Sequence, residues 1–194
     1  MMRFPVTGVL LAGGQSRRMG FPKGQIKFKG QTLAEKAFNL LAATCDEILL
    51  SASHSLYNFL KASTITDEIQ NAGPVGGIYS AMKAAAFTQI LVLPVDLPFI
   101  EEVHLRHILE MAKNEEIPVI PRHPDGKTEP LCGVYPTAMA EQTKQLLLNG
   151  QFKVTGLLEI AGFKPLPVNQ FPEFHDYLFF NINSPEDLEK LHRL

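Results

Sequence analysis

VTGVLLAGGQSRRMGFPKG, residues 6–24, joins an apolar run to a loop rich in glycine and positive charge. Val6–Ala12 lacks the strict alternation of a half-exposed strand and predicts one buried on both faces. Gly13 and Gly14 put no Cβ between their backbone and an approaching anion. Ser16, Arg17, Arg18 and Lys23 add donors and charge within the same loop. A buried strand ending in an anion loop is how an open α/β sheet begins, and such sheets bind ligands beyond the carboxyl ends of their strands.

The rest of the chain repeats the alternation of strand and helix. Thr32 and Glu35 form a capping-box pair before the apolar stripe Leu33, Ala34, Ala37, Phe38, Leu40 and Leu41. Strands are expected at Glu47–Ala52, Thr64–Thr66 and Gln89–Val95, the last the most apolar and therefore central. Helices are expected at His54–Ala62, Val75–Ala86, Glu101–Lys113, Thr137–Leu148 and Val154–Ile160. Ile117–Pro121 and Cys132–Tyr135 flank a Pro-Asp-Gly turn and can pair as a long-looped antiparallel hairpin. Leu166–Val168 and Leu178–Asn181 are candidate late strands, and Ser184-Pro185 caps a last helix. The pattern is that of a three-layer, Rossmann-like α/β/α sandwich in one domain, residues 1–194, with a mostly parallel sheet and an antiparallel strand.

Composition narrows the function. Hydrophobic residues make up 45% and charged residues 20%, with a net charge of −2. That balance gives no general affinity for nucleic acid or anionic membrane, so an anion site must be local. No apolar run reaches the length of a membrane span, and the N-terminal apolar run reads as a strand without a signal-peptide cleavage site. Cys45 and Cys132 lie far apart among apolar neighbours, as reduced residues of a cytoplasmic protein do.

The loop fits neither common phosphate motif. Phe21 follows Gly20 where a Walker loop needs lysine, and GxGxxG is absent. Asp67 follows the third strand and Asp96 the central one, so both carboxylates would face the same crevice as the loop. Carboxylates facing phosphates call for a divalent cation, usually Mg²⁺, completed by phosphate oxygens and water. Gly73-Pro74-Val75-Gly76-Gly77 opens a helix, where glycine suits close approach of a base, a sugar or an anion. His104 and His107, three apart on one helix, read as a solvated face because no third ligand lies near in sequence. No nucleophile elbow appears. Anion donors with metal-binding carboxylates fit phosphoryl or nucleotidyl transfer better than acyl transfer.

Leu11-Ala12-Gly13-Gly14-x-Ser16-x-Arg18-Met19-Gly20-x-x-Lys23 resembles the signature loop of the molybdenum cofactor guanylyltransferase family. Asp67, Gly73–Gly77, Asp96-Leu97-Pro98, Glu129-Pro130-Leu131 and Asn181–Leu188 follow in that family's order. The resemblance implies transfer of GMP from GTP to molybdopterin with release of pyrophosphate. It implies that Leu11, Ala12, Gly13, Gly14, Ser51, Ser53, Asp67 and Gly73 line the nucleotide site. Lys23 would bind the triphosphate, Asp96 the nucleotide and Mg²⁺, and Arg18 would help stabilise charge. Lys153, Asn181 and Asn183 would stand on the acceptor side. Partners implied are GTP, molybdopterin and proteins that deliver or receive the cofactor. Two departures stand out: Ser51 and Ser53 where relatives often carry asparagine, and Phe152-Lys153 where they often carry two arginines. These keep open a related nucleotidyltransferase with another base or acceptor, such as cytidylyl transfer to molybdopterin, a phosphosugar or phospholactate. A non-catalytic nucleotide-binding protein is the third possibility.

Overall fold

The computed structural model describes residues 3–13, 20–52, 55–191 and 193–194. The first strand, β1 (Phe4–Leu11), carries the run quoted above, and its last six residues are buried. A short hairpin follows, β2 (Lys27–Phe28) and β3 (Gln31–Thr32), and leads into α1 (Leu33–Thr44). The capping box at Thr32 forms: the hydroxyl accepts from the Glu35 amide at 3.2 Å, and the Glu35 carboxylate accepts from the Thr32 amide at 2.7 Å. Then come β4 (Cys45–Ser51), β5 (Ser63–Ile65), α2 (Gly73–Ala84) and β6 (Gln89–Pro94). The second half holds α3 (Glu102–Ala112), β7 (Val119–Arg122), β8 (Gly133–Pro136), α4 (Ala140–Leu148), α5 (Val154–Ala161), β9 (Lys164–Pro167) and α6 (Pro185–Leu191).

Seven strands form one sheet in the order β5-β4-β1-β6-β8-β7-β9. The expected hairpin pairs β7 with β8, and β8 alone runs antiparallel to its neighbours. Alternate residues of each strand feed opposite faces. Val6 and Leu10 of β1, with Leu91 and Leu93 of β6, pack with Leu41 of α1 and Leu105 and Ile108 of α3. Val9 and Leu11, with Ile90 and Val92, pack with Ile78 of α2, Leu146 of α4 and Leu157 of α5. Both faces are therefore covered, which is why the strands read as continuous apolar runs.

From β1 the chain crosses to β4 on one side, and β6 pairs on the other. The order reverses at β1, so the crevice opens beyond the carboxyl ends of β1, β4 and β6. Leu11 is in register with Ser51 on one side and Pro94 on the other.

Three expectations need correction. Leu178–Asn181 is not a strand. The Leu178 and Phe180 amides close i→i+3 turns onto His175 and Tyr177, and Leu178 and Phe179 bury their side chains in the core without joining the sheet. The expected helix at His54–Ala62 is a run of 3₁₀ turns over Ser55–Leu60, kinked at Tyr57, whose φ of −113° is not helical; His54 lies outside the described residues. His104 is not on a solvated face. It is 2% exposed, and its Nδ1 accepts from the Glu101 amide at 2.9 Å, tying down the start of α3.

Both cysteines are buried and unpaired, and burial pushes the Cys45 thiol up to about 12. Among the described residues, no helix is long and apolar enough to cross a membrane.

Candidate active site

A cleft of about 1100 Å³ lies at the reversal point. Leu11, Ala12 and Gly13 line it at the end of β1, Ser51 at the end of β4, and Asp96 just beyond β6. Lys23, Asp67 and Gly73, also expected from the sequence, line it as well. Gly14, Arg18 and Ser53 lie outside the described residues.

The end of β1 is tied to its neighbours. The Ala12 and Gly13 amides both donate to the Ser51 carbonyl at 3.0 Å, and the Val95 amide donates to the Leu11 carbonyl at 3.3 Å. The first amides of the glycine loop thus hold strand to strand.

Lys23 and Asp96, 73 residues apart, meet in the cleft. Lys23 Nζ donates to Asp96 Oδ2 at 2.8 Å and to Asn183 Oδ1 at 2.7 Å. A small apolar cluster brings these three residues together. Ile26, three residues after Lys23, packs with Phe99, three residues after Asp96, and with Ile182, the residue before Asn183. Burying each such side chain stabilises the arrangement by about 1.5–3 kcal/mol. The backbone adds register: the Ile182 amide donates to the Asp96 carbonyl at 3.2 Å. Asp187 in the first turn of α6 accepts from the Asn183 and Ser184 amides at 3.0 Å each. These bonds to its ionised form hold the Asp187 carboxyl below its usual range.

Asp96 Oδ1 is buried and has no hydrogen-bond partner among the described residues, as is Asn181 Oδ1. A buried carboxylate oxygen left unsatisfied is costly, and an oxygen donor of this kind suits a hard divalent cation. The Asp96 carboxylate therefore fits the metal that the sequence implied.

Asp67 is half-buried, and burial raises its carboxyl above the usual range, partly offset by the Ser51 hydroxyl. Ser51 Oγ donates to Asp67 Oδ1 at 3.4 Å. The glycines of α2 serve packing more than ligand approach. A Cβ on Gly77 would come within 2.6 Å of Ser51 Oγ, and one on Gly76 within 2.9 Å of Ala72 Cβ. Gly73 and Gly77 both line the cleft, and Gly73 differs in its φ of +59°, a backbone conformation that favours glycine.

Lys153 is exposed at the N-cap of α5 and is not among the residues lining the cleft. The neighbouring Phe152 carbonyl lies 3.6 Å from where a Cβ on Gly73 would be. Asn181 likewise stands back from the lining, while Asn183 reaches Lys23. Tyr57 was not foreseen. It is 3% exposed and forms part of the cleft wall, with its ring against Gly24, where a Cβ would sit 2.7 Å from ring atoms. No motif marks it; the only trace in the sequence is the glycine that makes room for it.

An open, mostly parallel sheet with a lysine and a carboxylate meeting beyond its central strands is the arrangement of a nucleoside triphosphate transferase. The chain belongs to one such family: residues 8–161 match the model of the MobA-like NTP transferase domain. It is 33% identical to a probable molybdenum cofactor guanylyltransferase of Natranaerobius thermophilus, over 95% of this chain and 94% of that protein. It is 32% identical to one of Pyrococcus furiosus, over 96% of each chain. The crystal structure of molybdopterin-guanine dinucleotide biosynthesis protein A from Archaeoglobus fulgidus superposes with a TM-score of 0.83 at 26% identity, over 97% of both chains.

Proposed function

We propose that the protein transfers GMP from GTP to the phosphate of molybdopterin, forming the guanine dinucleotide cofactor and releasing pyrophosphate. The observation that carries the reading is the contact of Lys23, which lines the cleft, with Asp96 and Asn183. The named relatives supply guanine and molybdopterin as the base and acceptor.

In this reading the nucleoside lies over Leu11–Gly14 and Gly73, with its ribose or base toward Asp67 and its phosphates toward Lys23. Ser51 holds Asp67 by its hydroxyl and stands where relatives often carry asparagine. The acceptor phosphate is largely dianionic at neutral pH, since the second pKa of a phosphomonoester is near about 6. It attacks the α-phosphorus in line and needs no strong general base; among the described residues, no histidine lines the cleft. The barrier is an anion approaching a polyanion. Lys23, with Arg18 from the same loop, offsets the charge on the departing phosphates. Asn183 orients the lysine and faces the acceptor. Mg²⁺ on Asp96 would supply further positive charge to the phosphate oxygens.

Pyrophosphate release from GTP, measured with molybdopterin and with other phosphate acceptors, tests this. Turnover with molybdopterin that exceeds every other pair is expected. Preference for CTP, or for a phosphosugar or phospholactate as acceptor, would replace the reading by one of its relatives.

A further inference from the structure

Lys23 and Asp96 are each mostly buried, with 17% and 13% of their side chains exposed. Their contact is direct, and the ammonium is held from a second side by the neutral Asn183 carbonyl. The carboxylate so engaged is the one read above as the metal ligand. We propose that Lys23 is an internal cation that keeps Asp96 from binding a divalent metal until a nucleoside triphosphate arrives, so that metal and nucleotide enter together. The inference rests on the reading of Asp96 as that ligand.

The argument is electrostatic. An ammonium on Oδ2 and a divalent ion on Oδ1 of one carboxylate would sit within a few ångströms of each other. Away from bulk water, such repulsion is poorly screened. Asn183 strengthens the hold on the lysine without adding a charge that could attract the metal. A triphosphate changes the balance. Its outer oxygens offer Lys23 partners of higher negative charge than Asp96, and the same oxygens complete the coordination of the metal. Moving the ammonium from carboxylate to phosphate then frees Asp96 as the metal arrives. Lys23 would thus act in the order of binding as well as in charge stabilisation. The coupling is reciprocal: nucleotide tightens metal binding by the factor that metal tightens nucleotide binding.

The test is direct titration of Mn²⁺, followed by its free-ion paramagnetic resonance signal, with no acceptor and no turnover. In the absence of nucleotide, Lys23→Met is expected to bind Mn²⁺ about tenfold or more tightly than the wild-type chain. Asn183→Leu, which removes one of the two contacts on the ammonium, is expected to tighten binding by a smaller factor. With a non-hydrolysable GTP analogue present, the wild-type chain should gain Mn²⁺ affinity and the advantage of Lys23→Met should disappear. Mn²⁺ binding to Lys23→Met that equals or falls below wild type would overturn the proposal. If, in addition, Asp96→Asn lost Mn²⁺ binding in the presence of the analogue, the metal reading would survive that failure. Unchanged Mn²⁺ binding in Asp96→Asn would sink both.

Discussion

The Ile182 amide donates to the Asp96 carbonyl at 3.2 Å, and this bond carries the loop before α6 into a cleft built by strands from the other end of the chain. Ile182 itself is fully buried with Ile26 and Phe99. Truncation to alanine should cost about 2–5 kcal/mol of stability, by lost burial and a residual cavity. It should also loosen Asn183. Urea unfolding would read the first effect, and a raised KM for the acceptor the second. A KM unchanged despite lower stability would show that the cluster does not position the site.

Asp96→Ala should abolish nearly all turnover. Removing one preorganised electrostatic group from such a site typically costs about 10²–10³ in kcat, and here the alanine also leaves Lys23 without its carboxylate partner. Pyrophosphate release under saturating Mg²⁺ measures it. Wild-type activity in that assay would show that Asp96 has no part in the chemistry.

Lys23→Ala should weaken GTP binding more than GMP binding if, as proposed, the ammonium binds the outer phosphates. Calorimetric titration of both nucleotides, at one Mg²⁺ concentration, gives the comparison. Equal weakening would move Lys23 to the α-phosphate or the nucleoside.

Gly24→Ala should disturb the site through Tyr57. The new methyl would sit 2.7 Å from the tyrosine ring, and overpacking of this kind costs about 1–3 kcal/mol. A lower Tm together with weaker nucleotide binding is expected, since Gly24 adjoins Lys23. Tyr57→Leu in the same chain should restore much of the lost Tm; no recovery would mean that the strain lies elsewhere.

His104 sets a pH dependence of stability. Burial lowers its pKa, partly offset by the Pro172 backbone and the charges of Glu101 and Glu173, while His175 adds to the lowering. With the folded value below the unfolded one, about 6.5, the unfolded chain takes up a proton first as the pH falls. Stability is therefore full above about pH 6.5 and declines as the pH drops through the folded value. Thermal melts between pH 7.5 and 5.5 should show a fall in Tm that His104→Gln reduces. An identical fall in both would assign it to other groups.

Much of the architecture was legible because it depends on local pattern. All seven strands of the main sheet and most of the helices follow from apolar runs, the Thr32–Glu35 box and the Ser184-Pro185 cap, all of which act within a few residues. Leu178–Asn181 misled because an apolar run shows that residues are buried and not what they are buried against. Here turns press Leu178 and Phe179 onto the core while the backbone stays out of the sheet. His104 misled for a related reason: an imidazole at a helix start reads as surface until another segment packs over it.

Leu11, Ala12, Gly13, Lys23, Ser51, Asp67, Gly73 and Asp96 line the cleft and could be singled out beforehand, since each follows a strand or stands in a motif. By itself the sequence determined that this chain makes an open α/β sheet with an anion loop after its first strand and carboxylates after later ones, because those features are set by neighbours along the chain. Tertiary structure alone decided that Lys23, Asp96 and Asn183 share one set of contacts, that Lys153 and Asn181 stand back, and that Tyr57 walls the cleft. Those outcomes depend on how a reversal in strand order and the buried cluster of Ile26, Phe99 and Ile182 fold distant segments onto one another, and no local spacing encodes such distances.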